Sequence, residues 1–358
     1  MNIFNNSIKS VLLIGSLLLS SCDMDRYPLD SFSEETFYND EANIRLALIG
    51  LYRGNISYGV DYSTSDWWAY SATILLDDVS DIGYDRRDFN NPIGQLTSGN
   101  ITETNVFSQN LYQRSYKRIS ACCRFIEGLN SVENQTEEMT RMMAEARFIR
   151  AVQYFYLASF FHDVPLVKEV LTLEEANSVT KTGRAEVLKY AASELEEVAK
   201  ILPRHKDLPQ SERGRATAQA ALGYSARTYL VMEEFEKAQA ACKQIIDYGD
   251  NTIDPNYQTL FYPSGANSNE HIFATQFVDD LAGIGLPQHA YPVKDGGWCL
   301  VNATNHLFEA YDFLNGDPFS YEDQRFNKTN FGENRDPRLD FTIFYDGAIF
   351  RGSPFNCN

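Results

Sequence analysis

Tyr84, Arg86, Arg87, Asp88, Asn90 and Asn91 crowd into one short polar stretch of this chain, and Tyr291, Asp295, Trp298 and Asn302 into another, around Gly296-Gly297. A flat aromatic ring accepts the apolar face of a pyranose. Amides, carboxylates and guanidinium groups are directional partners for its hydroxyls. Both stretches, 84–91 and 287–302, therefore have the composition of a sugar-binding loop. Trp298, beside two glycines, is the best single stacking platform; a core tryptophan pinning an irregular loop would look the same in sequence. The charges of 84–91 equally suit a solvated loop. Trp67 and Trp68 are adjacent, so on a helix they point about 100° apart, one toward a core and the other toward the surface. The candidate glycan-binding set is Trp298, Tyr291, Asn302, Tyr84, Arg86, Asp88, Asn90 and Trp67.

Signals for catalysis are weaker. The five histidines (162, 205, 271, 289, 306) are widely spaced, and none forms His-Glu-x-x-His. Gly283-Ile284-Gly285-Leu286-Pro287 lacks the third glycine and the following helix of a dinucleotide loop, and no Gly-x-Ser-x-Gly elbow occurs. Asp77-Asp78, with Asp81 and Asp85 nearby, could act as the carboxylate pair of a glycosidase or hold Ca²⁺. Acidic residues at a helix–loop boundary are the plainer reading, and the spacing misses the EF-hand pattern. No catalytic residue, metal ligand or cofactor is assigned. A net charge of −18 argues against nucleic acid and against direct adhesion to anionic lipid. Apart from Cys22, the cysteines are 122, 123, 242, 299 and 357, with no disulfide-framework or metal spacing.

These loops need a scaffold, and the composition supplies one: 44% hydrophobic residues, with 21 Tyr and 23 Phe, suffice for a large core. The N-terminus has Lys9, an apolar run from Val11 to Leu19, and Leu19-Ser20-Ser21-Cys22, the layout of a secretory signal. The run is about half the roughly 20 residues that span a bilayer. Leu-Ser-Ser-Cys resembles the bacterial lipobox, which makes 1–21 a signal peptide and Cys22 a lipidated first residue, held at a membrane by buried acyl methylenes. Residues 22–40 read as an extended leader, 41–249 as a helical region and 250–358 as loop-rich.

Helical spacing follows Ser33-Glu34-Glu35-Thr36 and runs to about Tyr52, then over Asp66–Val79, and over 105–130, 136–161, 184–202, 214–232 and 234–248. Residues 83–104 read as a polar loop and 272–277 as a strand or extended segment. In 136–161 the stripe is Met142, Ala146, Ile149, Val152 and Tyr156, with Glu145, Arg147 and Arg150 mostly off it. Phe148, Tyr154, Phe155, Tyr156, Phe160 and Phe161 read as helix-packing core. Ala226, Tyr229 and Ala238 fall where a tetratricopeptide repeat places its small–aromatic–small residues.

Four stretches together resemble the SusD/RagB family of Bacteroidetes outer-membrane nutrient-binding lipoproteins. They are Asp25-Arg26-Tyr27-Pro28-Leu29-Asp30 with Ser33-Glu34-Glu35-Thr36-Phe37; Glu145 to Ala151 running on to Asp163-Val164-Pro165-Leu166-Val167; Gly214-Arg215-Ala216-Thr217 leading to Phe235-Glu236-Lys237-Ala238; and Arg335-Asp336-Pro337-Arg338-Leu339. The resemblance implies a mostly α fold, with tetratricopeptide-like helix pairs as scaffold and irregular loops packed on it. It further implies a binder of oligosaccharides, lipid-anchored to the outer membrane and facing outward, that serves a SusC-like TonB-dependent transporter. Members usually continue past Arg-Asp-Pro-Arg-Leu into further helix, so the chain is expected to lack a C-terminal part. The alternatives are a non-enzymatic envelope scaffold binding proteins through its repeat surface, and a helical glycosidase using Asp77 and Asp78.

Overall fold

The computed structural model describes residues 38, 40–53, 66–68, 75–87, 91–276 and 286–356. The chain divides into two compact units, residues 1–45 and 46–358. The first contributes only Tyr38, Asp40 and the opening turn of helix α1 (Glu41–Tyr52) to the description, with Asp40 Oδ1 accepting from the Ala42 amide at 2.9 Å.

The body of the second unit is an antiparallel run of five long helices, α2 (Val106–Asn130), α3 (Glu137–Phe161), α4 (Arg184–Ala199), α5 (Ala218–Val231) and α6 (Phe235–Tyr248). Each packs on the next. That is the helix-pair layout expected from the sequence. The starts are set by side-chain caps: Asn105, Thr136 and Thr217 accept from the amides of Ser108, Met139 and Ala220, each such cap contributing about 1 kcal/mol. Because Thr217 is the cap, α5 begins later than its pattern at 214 suggests. Gly214 (φ +94°), Arg215 and Ala216 form the approach instead. Gly249 in the left-handed region ends α6.

α3 is buried almost all round, so it is the central helix rather than one with a single apolar stripe. Glu145 and Arg150, expected mostly off the stripe, are buried too. Their charges are matched. Glu145 accepts from Tyr52 Oη at 2.7 Å and from Arg215 Nε and Nη2 at 3.1 and 2.6 Å. Arg147 and Arg150 meet Glu194 of α4. Ile119, Tyr154, Leu157, Val187 and Leu188 join α2, α3 and α4 in one apolar cluster, and Ala192, Tyr229 and Ala238 join α4, α5 and α6 in another. Tyr229 and Ala238 of the small–aromatic–small set thus pack between helices, and Ala226 is buried.

Three expectations of element type change. Trp67 and Trp68 lie in a turn and Asp77–Val79 forms a 3-10 turn, so a continuous helix over 66–79 is not what forms at the described positions. Residues 272–276 make no strand, and Phe273 serves as a wedge against Trp68, Phe148 and Tyr224. The polar stretch 83–104 holds strand β1 (Gly83–Asp85) and a short helix, Pro92–Thr97, capped by Asn91. β1 pairs antiparallel with β2 (Val301–Ala303), and Ile349–Phe350 pairs with Ser353–Pro354.

Candidate functional site

The β1–β2 ribbon fuses the two loops that the sequence singles out separately. Its register sets Gly83 opposite Ala303, Tyr84 opposite Asn302 and Asp85 opposite Val301. Period-two alternation turns Tyr84 outward while Gly83 and Asp85 face in. Gly83 is required there, because a Cβ would sit 2.8 Å from the Asp77 carbonyl. Beyond the ribbon the Arg86 amide donates to Leu300 O at 3.3 Å and Arg86 Nε to Trp298 O at 2.9 Å. Asp85, buried, is clasped by Arg87 through its amide and guanidinium.

Trp298 stands on a loop that folds back on itself. Its amide donates to Gln288 O, the Cys299 amide to Tyr291 O and the Leu300 amide to His289 O. Gly296 (φ +86°) closes the turn Val293–Asp295, and a Cβ on Gly297 would lie 2.1 Å from the Tyr291 carbonyl, so the backbone crossing needs glycine. The buried His289 ring stacks on Trp298 at 5.1 Å and 23°. Burial, then the Arg87 cation, lowers the His289 pKa. Trp298 is nonetheless 39% exposed. Tyr84 and Tyr291 are exposed to a similar extent, 42% and 38%. Arg86 is exposed and its two Nη groups have no partner among the described residues. Trp298, backed by His289 and with the open Arg86 guanidinium held at its carbonyl, forms an exposed ledge; Tyr84 and Tyr291 are half-exposed on the same paired loops, the Tyr291 ring lying edge-on to Phe350 at 5.7 Å.

Other candidates fare differently. Trp67 is a correction: at 3% exposure it is core, donating to Ser115 Oγ at 2.8 Å, with its ring stacked on Tyr156 at 4.5 Å and 5° and flanked by Phe160. The turn at 66–68 points both adjacent tryptophans inward, which a helix would not have done. Asn302 uses its amide to brace its own loop, donating to Cys299 O and Leu300 O at 3.2 and 3.0 Å. Asn91 is spent on the cap. Asp88, Asn90 and Cys22 lie outside the described residues.

Asp77 and Asp78 are split by burial. Asp77 is exposed; Asp78 is fully buried beneath the ribbon, and neither of its carboxylate oxygens has a hydrogen-bond partner among the described residues. Burial first, then the charges of Asp85 and Asp77, raise its pKa to about 7. Among the described residues no group of three or more His, Cys, Asp or Glu could hold a metal ion. The four described cysteines, 122, 123, 242 and 299, are unpaired. His289 is the site residue that sequence reasoning misses. Its one signal is weak, that of a histidine within a Trp-containing loop.

A family model described as starch-binding and associating with the outer membrane matches residues 86–230, and the SusD family model matches 249–356. A SusD-like protein, P25, of Formosa agariphila is 25% identical over 288 residues, covering 78% of this chain and 53% of that protein. A SusD-like protein of Bacteroides ovatus is 25% identical over 300 residues, covering 78% and 51%. The crystal structure of a SusD-like carbohydrate-binding protein from Bacteroides fragilis is 49% identical, with a TM-score of 0.86 over 89% of this chain and 62% of that one. The surface glycan-binding protein A of Bacteroides thetaiotaomicron, in complex with laminarihexaose, shares the fold at a TM-score of 0.63 and 20% identity, over 76% of this chain and 61% of its own. The chain thus spans about half the length of these curated relatives.

Proposed function

The chain belongs to the SusD/RagB family, and on that premise we propose that it is a cell-surface glycan-binding lipoprotein that captures oligosaccharides without cleaving them. The observation that carries the reading is the Trp298 ledge. A ring backed by His289 and neighboured by the open Arg86 guanidinium, on loops that also carry the half-exposed Tyr84 and Tyr291, matches the face-plus-hydroxyl chemistry of a sugar. The ring is held rigidly by loop hydrogen bonds, so little ordering cost opposes binding. Delivery to a TonB-dependent outer-membrane transporter completes the proposed role, with Cys22 as the lipid anchor on the outward face. A tether keeps even a weak binder at high local concentration beside its transporter.

No described helix is long and apolar enough to cross a membrane. The acidic pair is a poor catalytic dyad, since Asp78 is sealed from ligand while Asp77 is exposed. Affinity electrophoresis of the full chain through gels containing a panel of plant, algal and host polysaccharides tests the function. Retardation on at least one glycan, with no new reducing ends, is expected. Free migration on every gel, or release of reducing ends, would refute it.

A further inference from the structure

A cavity of about 900 Å³ opens between α2 and the segment 165–179 that follows α3. Its volume lies in the range of small-molecule sites, about 300–1,000 Å³. Tyr112, Tyr116 and Ile119 of α2 form one wall, with Val167 and Leu171 facing them. The tyrosines are fixed in place. Tyr116 Oη donates to Pro165 O at 2.8 Å, and the Tyr112 ring is held at 4.9 Å from Tyr116 and 5.3 Å from Phe161. None of these interactions involves the Trp298 ledge.

Along the rim run Gln113, Lys117, Ser120 and Arg124, spaced i, i+4, i+7, i+11 and so in one row about 16 Å long. Arg124 Nη1 donates to Ser120 Oγ at 2.8 Å. Gln113 and Lys117, and Glu169 on the opposite wall, have no hydrogen-bond or ion-pair partner among the described residues. A core groove would be filled and a plain solvent face would lack the aromatic floor. Rigid rings below a row of polar side chains suit an elongated, polyhydroxylated ligand. Two cations against one carboxylate, in a chain of net charge −18, favour a negatively charged one.

We propose that this groove is a second saccharide site, for an acidic oligosaccharide of the uronate type. Tyr112 and Tyr116 would take the sugar faces, Lys117 and Arg124 the carboxylates, and Gln113 and Glu169 the hydroxyls. The site is independent of the ledge, so the two are separable by mutation. Isothermal titration of the full chain with tetragalacturonate, and with maltotetraose as the neutral probe, tests it. Saturable binding of tetragalacturonate is expected to survive Trp298→Ala unchanged. The Lys117→Glu/Arg124→Glu variant is expected to weaken it about tenfold or more, with Lys117→Gln intermediate. Raising salt from about 50 to about 500 mM is expected to weaken it several-fold, since exposed charges are screened. Both mutated positions are exposed, so the fold is retained. Absence of saturable tetragalacturonate binding, or binding that the charge reversals leave unchanged, overturns the proposal.

Discussion

Replacing Asp78 with Asn should make the protein more stable at pH 8 and remove the Asp78 contribution to its pH dependence. Asp78 is fully buried under the β1–β2 ribbon, both its oxygens are unpartnered among the described residues, and its pKa rises from 3.8 to about 7. Between those two values the folded chain keeps a proton that the unfolded chain releases. The contribution of Asp78 to stability should therefore fall as pH rises from about 4 to about 7 and level off above. A shift of about three units corresponds to at most about 4 kcal/mol at 1.36 kcal/mol per unit, and relaxation around the loop brings it to about 2–4 kcal/mol. Asn keeps the shape and cannot ionise. Urea unfolding followed by tryptophan fluorescence at several pH values between about 4 and about 8 reads both proteins. The expected result is a variant-minus-parent stability difference that grows as pH rises from about 4 to about 7 and levels off above. Parallel pH profiles, or a variant less stable than the parent at pH 8, would refute the reasoning.

Other consequences are equally direct. Trp67→Ala removes a ring enclosed by Tyr156, Phe160 and the Ser115 hydrogen bond, and should cost about 3–5 kcal/mol in thermal or urea unfolding; near-neutral stability would mean that the ring is not core. Arg215→Ala leaves the buried Glu145 with Tyr52 and the longer Arg141 contact, and should cost about 3 kcal/mol, which a stability measurement checks. Gly297→Ala drives a Cβ into the Tyr291 carbonyl and should cost about 1–3 kcal/mol. Because the strain falls on the turn that carries Trp298, hydrogen exchange of the Trp298–Leu300 amides should accelerate while α3 stays protected.

Sequence patterning discloses the long helices because their apolar spacing and caps are local. It also marks both halves of the ledge, but not that they meet. The Tyr84–Asn302 register is a contact between residues more than two hundred positions apart, and three-residue strands carry too little alternation to announce it. Trp67 is misplaced by patterning for the same reason. Whether an aromatic in a short segment faces in or out depends on the turn at 66–68, which is set by distant partners such as Ser115 and Arg118. The motifs that carry the resemblance have physical roles in the scaffold. Glu145 and Arg215, from two of them, clasp each other, while Arg335 of a third donates to Phe308 O and Tyr311 O and lies over the Phe319 ring. They identify the framework and say little about the sugar.

The ledge itself is tested most directly by calorimetric titration of the parent and of Trp298→Ala with the oligosaccharide of whichever glycan retards the parent in a gel. Trp298 stacks on His289 and is 39% exposed, and loss of a stacked aromatic pair forfeits roughly 0.5–1.5 kcal/mol beyond the buried area. Affinity for that glycan should therefore fall at least about tenfold, with the unfolding midpoint little changed. An unaltered dissociation constant in a folded Trp298→Ala protein would contradict the account.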